Sequence, residues 1–299
     1  MEGWTRGLAD QMALTPARNL FVRLAVFAAC TNAFGGETKN IGPDLYAYIS
    51  DNDASANATF LVGRKEVLLV DAGLNAVEGE KILAAIRRVA PQPVKFLVVT
   101  HYHPDHGGGA AKAAPNAILT STPFTRHKAT ELNRTGQFPD GFRIAEITTS
   151  NRLTIYVGEY PVEVYHPGPA HTMGDLLVYF PTQQVLSTGD LFLNRSCPAM
   201  DEGSVQNWVK ALDEALRLPL RAAVPGHFEV GTKQDLKRFR DYLADLYAQV
   251  AGMKEEGVAL DQIKHRLALE PYRDFRQYPK YQATFADNAE AVYRQLAGR

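Results

Sequence analysis

The chain has little cysteine, no long apolar run and no surplus of either charge, and each shortage removes a class of protein. Two cysteines, Cys30 and Cys197, among 299 residues exclude a disulfide framework. No stretch reaches the ~18–20 apolar residues that a membrane-spanning helix requires, so an integral membrane protein is excluded. Lys and Arg number 32 against 33 Asp and Glu, a net charge of −1. Without a basic stripe, no nucleic-acid partner is expected. Histidine is sparse as well, eight in all, which makes its placement informative.

What is present is ordinary globular composition. A hydrophobic share of 45% with 22% charged residues excludes disorder, and the length suffices for one large α/β domain or two modest ones. Ahead of it, residues 1–35 resemble a secretory signal with an upstream extension: Arg18 and Arg23 precede the short apolar run 24–30 and the small residues Thr31 and Ala33. Residues 27–30, Phe-Ala-Ala-Cys, faintly resemble a lipoprotein cleavage box. The competing reading is an amphipathic helix packed on the domain, favoured by Arg23. Export to the periplasm follows from the first reading, and a cytoplasmic protein from the second.

Periodicity places strands over 45–49, 59–62, 66–70, 96–99, 117–120, 162–165, 176–180, 185–188 and 222–224, with a hairpin turn at Gly63-Arg64-Lys65. Helical spacing covers 75–89, 205–216, 234–254, 260–269 and 285–296. Residues 123–150 carry Pro123, Gly136, Pro139 and Gly141 and read as a long irregular insertion. Beside a metal loop, such an insertion is expected to be a binding lid, with Phe124, Arg126, His127, Phe138 and Phe142 able to meet substrate. Strands alternating with helices suggest a sheet covered by helices. Residues 36–252 read as the catalytic domain and 253–299 as a C-terminal helical extension.

The chemistry is concentrated where residues 96–99 empty into Thr100-His101-Tyr102-His103-Pro104-Asp105-His106, followed by three glycines. In an extended chain, side chains two apart point the same way, so His101 and His103 can converge on one cation. Pro104 bends the path, so Asp105 and His106 can face a second point nearby. Two adjacent metals are the natural inference. A histidine-rich surface loop is the bland alternative, and three of eight histidines within six residues count against it. His171, Asp190 and His227 each follow a strand by a short loop, as expected where strand ends on one rim build a site.

With His101-x-His103-x-Asp105-His106, Ala170-His171-Thr172-x-Gly174-Asp175, Thr188-Gly189-Asp190 and Gly226-His227, the chain resembles the metallo-β-lactamase superfamily from about residue 45 to 246. The resemblance implies a four-layer αββα sandwich with metals at the edge between two sheets. It further implies that His101, His103 and His171 hold a first zinc and that Asp105, His106 and His227 hold a second, with Asp190 bridging. Asp71 matches a family position where a carboxylate orients the ligands from behind, and it also suits a turn capping the next helix. His127 and His166 match no ligand position. Many true β-lactamases of the family carry cysteine or serine where Asp190 stands, so the resemblance is closer to the glyoxalase II-like and lactonase-like dizinc hydrolases.

The expected reaction is hydrolysis of an ester, thioester, lactone or amide in a small-molecule substrate. A metal-bridging hydroxide would attack, and Asp105 would orient it and carry its proton. One alternative is a persulfide dioxygenase-like oxidoreductase with a single iron, since imidazole suits iron as well as zinc. The other is a β-lactamase. The 123–150 insertion and residues 193–200 are expected to wall the pocket.

Overall fold

A computed structural model of the chain describes residues 35–136, 142–277 and 283–298. Residues 1–34 of the signal-like segment lie outside them, as does Phe138. Seven strands form the first sheet in chain order: β1 (Glu37–Gly42), β2 (Leu45–Ile49), β3 (Ala58–Val62), β4 (Val67–Val70), β5 (Val94–Val98), β6 (Ile118–Ser121) and β7 (Ile147–Thr148). Neighbours are antiparallel from β1 to β4 and parallel from β4 to β7. The second sheet comprises β8 (Arg152–Val157), β9 (Tyr160–Tyr165), β10 (Leu177–Phe180), β11 (Val185–Ser187) and β12 (Ala222–Val224). Only β11 and β12 run parallel there.

Alternation along the strands decides the layers, because successive side chains leave opposite faces of a sheet. In β4, Leu68 and Val70 face the second sheet while Val67 and Leu69 face away. In β10, Val178 and Phe180 face the first sheet while Leu177 and Tyr179 face outward. A core therefore sits between the sheets, joining Leu61, Leu68 and Val98 to Val162, Val178 and Phe180. The outer face of the first sheet is covered by α1 (Ala76–Val89) and α3 (Ala110–Ala113), through Ile82, Ile86 and Ala113. The outer face of the second is covered by α5 (Val205–Ala215), α6 (Lys233–Glu255), α7 (Leu260–Arg266) and α8 (Phe285–Gln295). Three cores separate four layers, as the family resemblance implies.

Trp208, Phe239 and Tyr242 are fully buried in the third core, and each such side chain contributes roughly 1.5–3 kcal/mol of burial free energy. The Tyr242 hydroxyl donates to Asn288 Oδ1 at 2.7 Å, so α8 is bonded to α6 as well as packed on it. Among the described residues, no helix is long and apolar enough to cross a membrane.

The insertion differs from expectation. Residues Pro123–Thr135 form α4, whose first turn is capped by Thr122 Oγ1 accepting from the Thr125 amide at 3.1 Å. Pro123 occupies the first helical position and Gly136 ends the helix at φ +68°. The residues that look like breakers are start and stop signals. Arg126 Nε donates to the Ala145 carbonyl at 3.0 Å, Phe142 is buried and His127 is exposed. Arg126 and Phe142 thus tie α4 and the segment after it to the domain. The short strand β7 then returns the chain to the sheet edge.

Candidate metal centre

Strand β5 runs through the interior of the first sheet and delivers its C-terminal end to the rim. There Pro104 starts the single helical turn α2 (Pro104–Gly107), with His103, in extended backbone, as its cap residue. The turn carries Asp105 and His106 inward. Gly108 and Gly109 follow it because a Cβ would sit 2.0 Å from the Leu74 carbonyl at the first and 2.1 Å from that of Ala72 at the second. The second sheet supplies the rest: His171 from the loop after β9, Asp190 from the turn after β11 and His227 from the loop after β12. At Gly226 a Cβ would fall 1.9 Å from Asp190 Oδ1, so only glycine lets His227 approach Asp190.

All seven side chains meet in two overlapping groups. His101 Nε2 lies 3.0 Å from His103 Nδ1, which lies 3.2 Å from His171 Nε2, and His171 Nε2 is 3.6 Å from Asp190 Oδ2. In the other group, Asp105 Oδ2 is 3.3 Å from His106 Nε2 and 3.0 Å from His227 Nε2. Asp190 Oδ1 is 3.2 Å from His106 Nε2 and 3.7 Å from His227 Nε2. Within each group the donor atoms lie within 4.8 Å of one another. Asp190 gives one oxygen to each.

Several imidazoles are held from behind. His106 Nδ1 donates to Asp71 Oδ2 at 2.8 Å, and His171 Nδ1 donates to the Ala199 carbonyl at 3.1 Å. His101 Nδ1 lies 3.2 Å from the Thr100 hydroxyl. Asp71 itself sits at φ +60°, in the left-handed region. Its carboxylate accepts the Thr100 amide at 2.8 Å and the Thr100 hydroxyl at 2.9 Å. Fixing the rear nitrogen leaves the front one aimed at the shared space, which is how metal-binding histidines are oriented.

Charge differs between the groups. Burial pushes His101 well below its usual pKa, helped by the neighbouring imidazoles, and lowers His171 to about 4 against the pull of Asp190. Both are neutral at pH 7 and ready to donate lone pairs. Burial also opposes charge on His106 and His227, but Asp105, Asp71 and Asp190 overcome it for His106, and Asp190 and Asp105 for His227. Their carboxylate partners stay ionised: burial opposes this for Asp105 and Asp190, and His106 and His227 outweigh it. The carboxylates of the second group thus draw positive charge to the imidazoles beside them.

Three atoms test whether cations suit the centre. His106 Nε2, Asp190 Oδ1 and His227 Nδ1 are buried without a hydrogen-bond partner. Two of them face the shared space of the second group, and buried polar atoms do not normally go unsatisfied. The donors are imidazole nitrogens and carboxylate oxygens with no sulfur, which suits zinc and other divalent first-row ions. The residues fit.

The family model described as the metallo-beta-lactamase superfamily matches residues 51–227. The chain belongs to the metallo-beta-lactamase superfamily. The matched span includes Asp71 and all seven clustered residues. A type 2 metallo-beta-lactamase from Elizabethkingia meningoseptica is 26% identical over 203 residues, covering 63% of this chain and 78% of that protein. A metallo-beta-lactamase structure from Pontibacter korlensis superposes with a TM-score of 0.61 at 23% identity, covering 70% of this chain and 99% of that one. A stereoselective inverting sec-alkylsulfatase from a Pseudomonas species gives 0.73 at 17% identity, covering 88% and 50%. These two structures establish the shared superfamily fold.

Of the other histidines, His127 is on the exposed side of α4 near Glu131, and His166 Nδ1 donates to the Asp175 carbonyl at 2.8 Å. Neither joins the cluster. Four residues to which sequence reading gave no role bear on it. Thr100 is a hub between Asp71, His101 and His106. Asn57 Nδ2 donates to the Pro225 and Phe228 carbonyls at 3.1 and 2.7 Å, bracketing His227. The Trp208 ring stands 5.4 Å from that of His171. Asp175, raised to about 7 by burial, accepts the Thr172 amide and hydroxyl and shapes the turn after His171.

Proposed function

We propose that the chain is a dizinc hydrolase acting on an ester, thioester, lactone or amide carbonyl of a small molecule. The observation that carries this reading is Asp190, whose two oxygens face two different donor groups. In this reading His101, His103 and His171 hold one cation, Asp105, His106 and His227 hold the other, and Asp190 is shared. Zinc held there would polarise the carbonyl as a Lewis acid and lower the pKa of a water from ~15.7 to about 7.

The chain's own residues supply position and proton transfer. Asp105 is the more open of the two carboxylates, its side chain 19% exposed against 5% for Asp190. It can therefore reach substrate-side water, take its proton and pass it to the departing group. Asp71 and the Ala199 carbonyl keep His106 and His171 in one tautomer and one orientation. A cleft of about 690 Å³ lies between residues 199–203 and α8. Met173, Ala199 and Met200 line it beside the His171 loop.

A β-lactam is an amide of this kind, and the similarity to the Elizabethkingia enzyme favours testing it first. The deciding experiment measures metal content, then hydrolysis of a thioester, a lactone, a simple ester and a chromogenic β-lactam before and after chelation. About two zinc ions per chain and chelation-sensitive hydrolysis of at least one substrate are expected. Hydrolysis that survives complete metal removal refutes the reading, and about one iron per chain with oxygen uptake replaces it.

A further inference from the structure

His227 is the one buried imidazole of the cluster whose rear nitrogen has no hydrogen-bond partner. Its orientation has to come from its backbone. The next residue, Phe228, adopts φ +70°, a left-handed conformation that bulky side chains rarely take and that persists only where surrounding structure imposes it. Asn57 holds the Phe228 carbonyl from one side. On the other side stands a residue from a distant part of the chain, Arg276, whose guanidinium carbon lies 4.6 Å from the centre of the Phe228 ring.

Arg276 is held in that position from three directions. Its guanidinium reaches both oxygens of Glu229 at 3.0 Å each and the Asn194 carbonyl at 3.2 Å. Its amide donates to the Arg195 carbonyl at 2.8 Å, and its carbonyl accepts the Cys197 amide at 3.0 Å. Arg195 is itself left-handed, at φ +55°. The planar fork of an arginine can stack on a ring and hold a carboxylate at once, which a point charge cannot do. One side chain thus joins the loop that follows Asp190 to the loop that carries His227.

We propose that Arg276 is a positioning residue that holds Phe228 in its left-handed conformation and so fixes His227 for the second cation. The inference rests on the dizinc reading for its metal readout, but its structural readout does not. Arg276 touches none of the seven donor side chains in the contacts above, so its effect travels through Phe228 and Glu229.

The test uses the full chain with Arg276→Ala and Arg276→Lys. Hydrogen exchange in the metal-free proteins should rise about tenfold or more at residues 226–230 in Arg276→Ala and stay unchanged at 101–106. Stepwise zinc titration against a competing chelator should show the second equivalent weakened about 10- to 100-fold, the usual effect of an outer partner, with the first within about twofold. Arg276→Lys keeps a cation near the ring and loses the fork, so it should fall between, and it decides the matter if Arg276→Ala does not fold. Unchanged exchange at 226–230 together with unchanged second-equivalent affinity overturns the proposal. If the wild-type chain binds no second cation while exchange at 226–230 still rises, the dizinc reading fails and the positioning of His227 stands.

Discussion

Asp71 Oδ2 lies 2.8 Å from His106 Nδ1, and the same carboxylate is tied to Thr100 through both of its oxygens. A residue at the end of one strand therefore sets the ring angle of a donor at the end of the next. Asp71→Asn tests the charge with little disturbance of shape, because asparagine tolerates the left-handed backbone that Asp71 adopts. Zinc affinity of the second group should fall about 10- to 100-fold, read by chelator competition. Thermal stability should change much less than the affinity does.

Asp190→Ala removes one donor from each group at once. Zinc content should drop from about two per chain to below one, and turnover should fall by more than the ~100-fold loss typical of an outer partner. Elemental analysis and steady-state rates check both. Retention of two zinc ions would contradict the shared-ligand reading.

Asn57 is buried and uses its side chain on three backbone groups: the carbonyls of Pro225 and Phe228 and the amide of Ser50. Truncation to alanine leaves those groups without a partner, at about 1 kcal/mol each. Asn57→Ala should therefore lower unfolding free energy by about 2–3 kcal/mol, measured by denaturant unfolding of the metal-free protein. The second zinc equivalent should weaken in the same variant, because the residues it loosens flank His227.

Burial pushes the Cys197 thiol up to about 12, against about 8.5 in an unfolded chain. The neutral thiol is the form that folding favours, so its stabilising contribution is complete below pH 8.5 and is lost as pH rises toward 12. In a Cys30→Ser background, Cys197 should resist an aromatic disulfide reagent at pH 8 until the protein unfolds. Labelling faster than unfolding would show that the thiol is reachable in the native state.

Legibility in the sequence followed what each residue contributes. Strands such as β2 and β10 showed themselves because their alternation faces two apolar layers. The edge strand β1, Glu-Thr-Lys-Asn-Ile-Gly, is exposed or half-buried at five of its six positions, and its pairing with β2 is a backbone affair that leaves no apolar pattern. Helix α4 hid behind Thr122-Pro123 and Gly136, punctuation that marks the ends of a helix as readily as a loop. The seven clustered side chains were readable because imidazoles and carboxylates at strand ends are rare and chemically explicit. Their supports were not: the Ala199 carbonyl that holds His171 could belong to any residue, and Arg276 meets Phe228 only after the chain has folded back from the C-terminal helices.

The donors come from both sheets: His101, His103, Asp105 and His106 lie on the first, and His171, Asp190 and His227 on the second. An ion lodged between them would act as a rivet through the edge of the sandwich. Prising the layers apart then means giving up the ion. Resistance to heat should accordingly climb with free zinc concentration by mass action, and on the dizinc reading catalytic loading and mechanical integrity would be the same equilibrium.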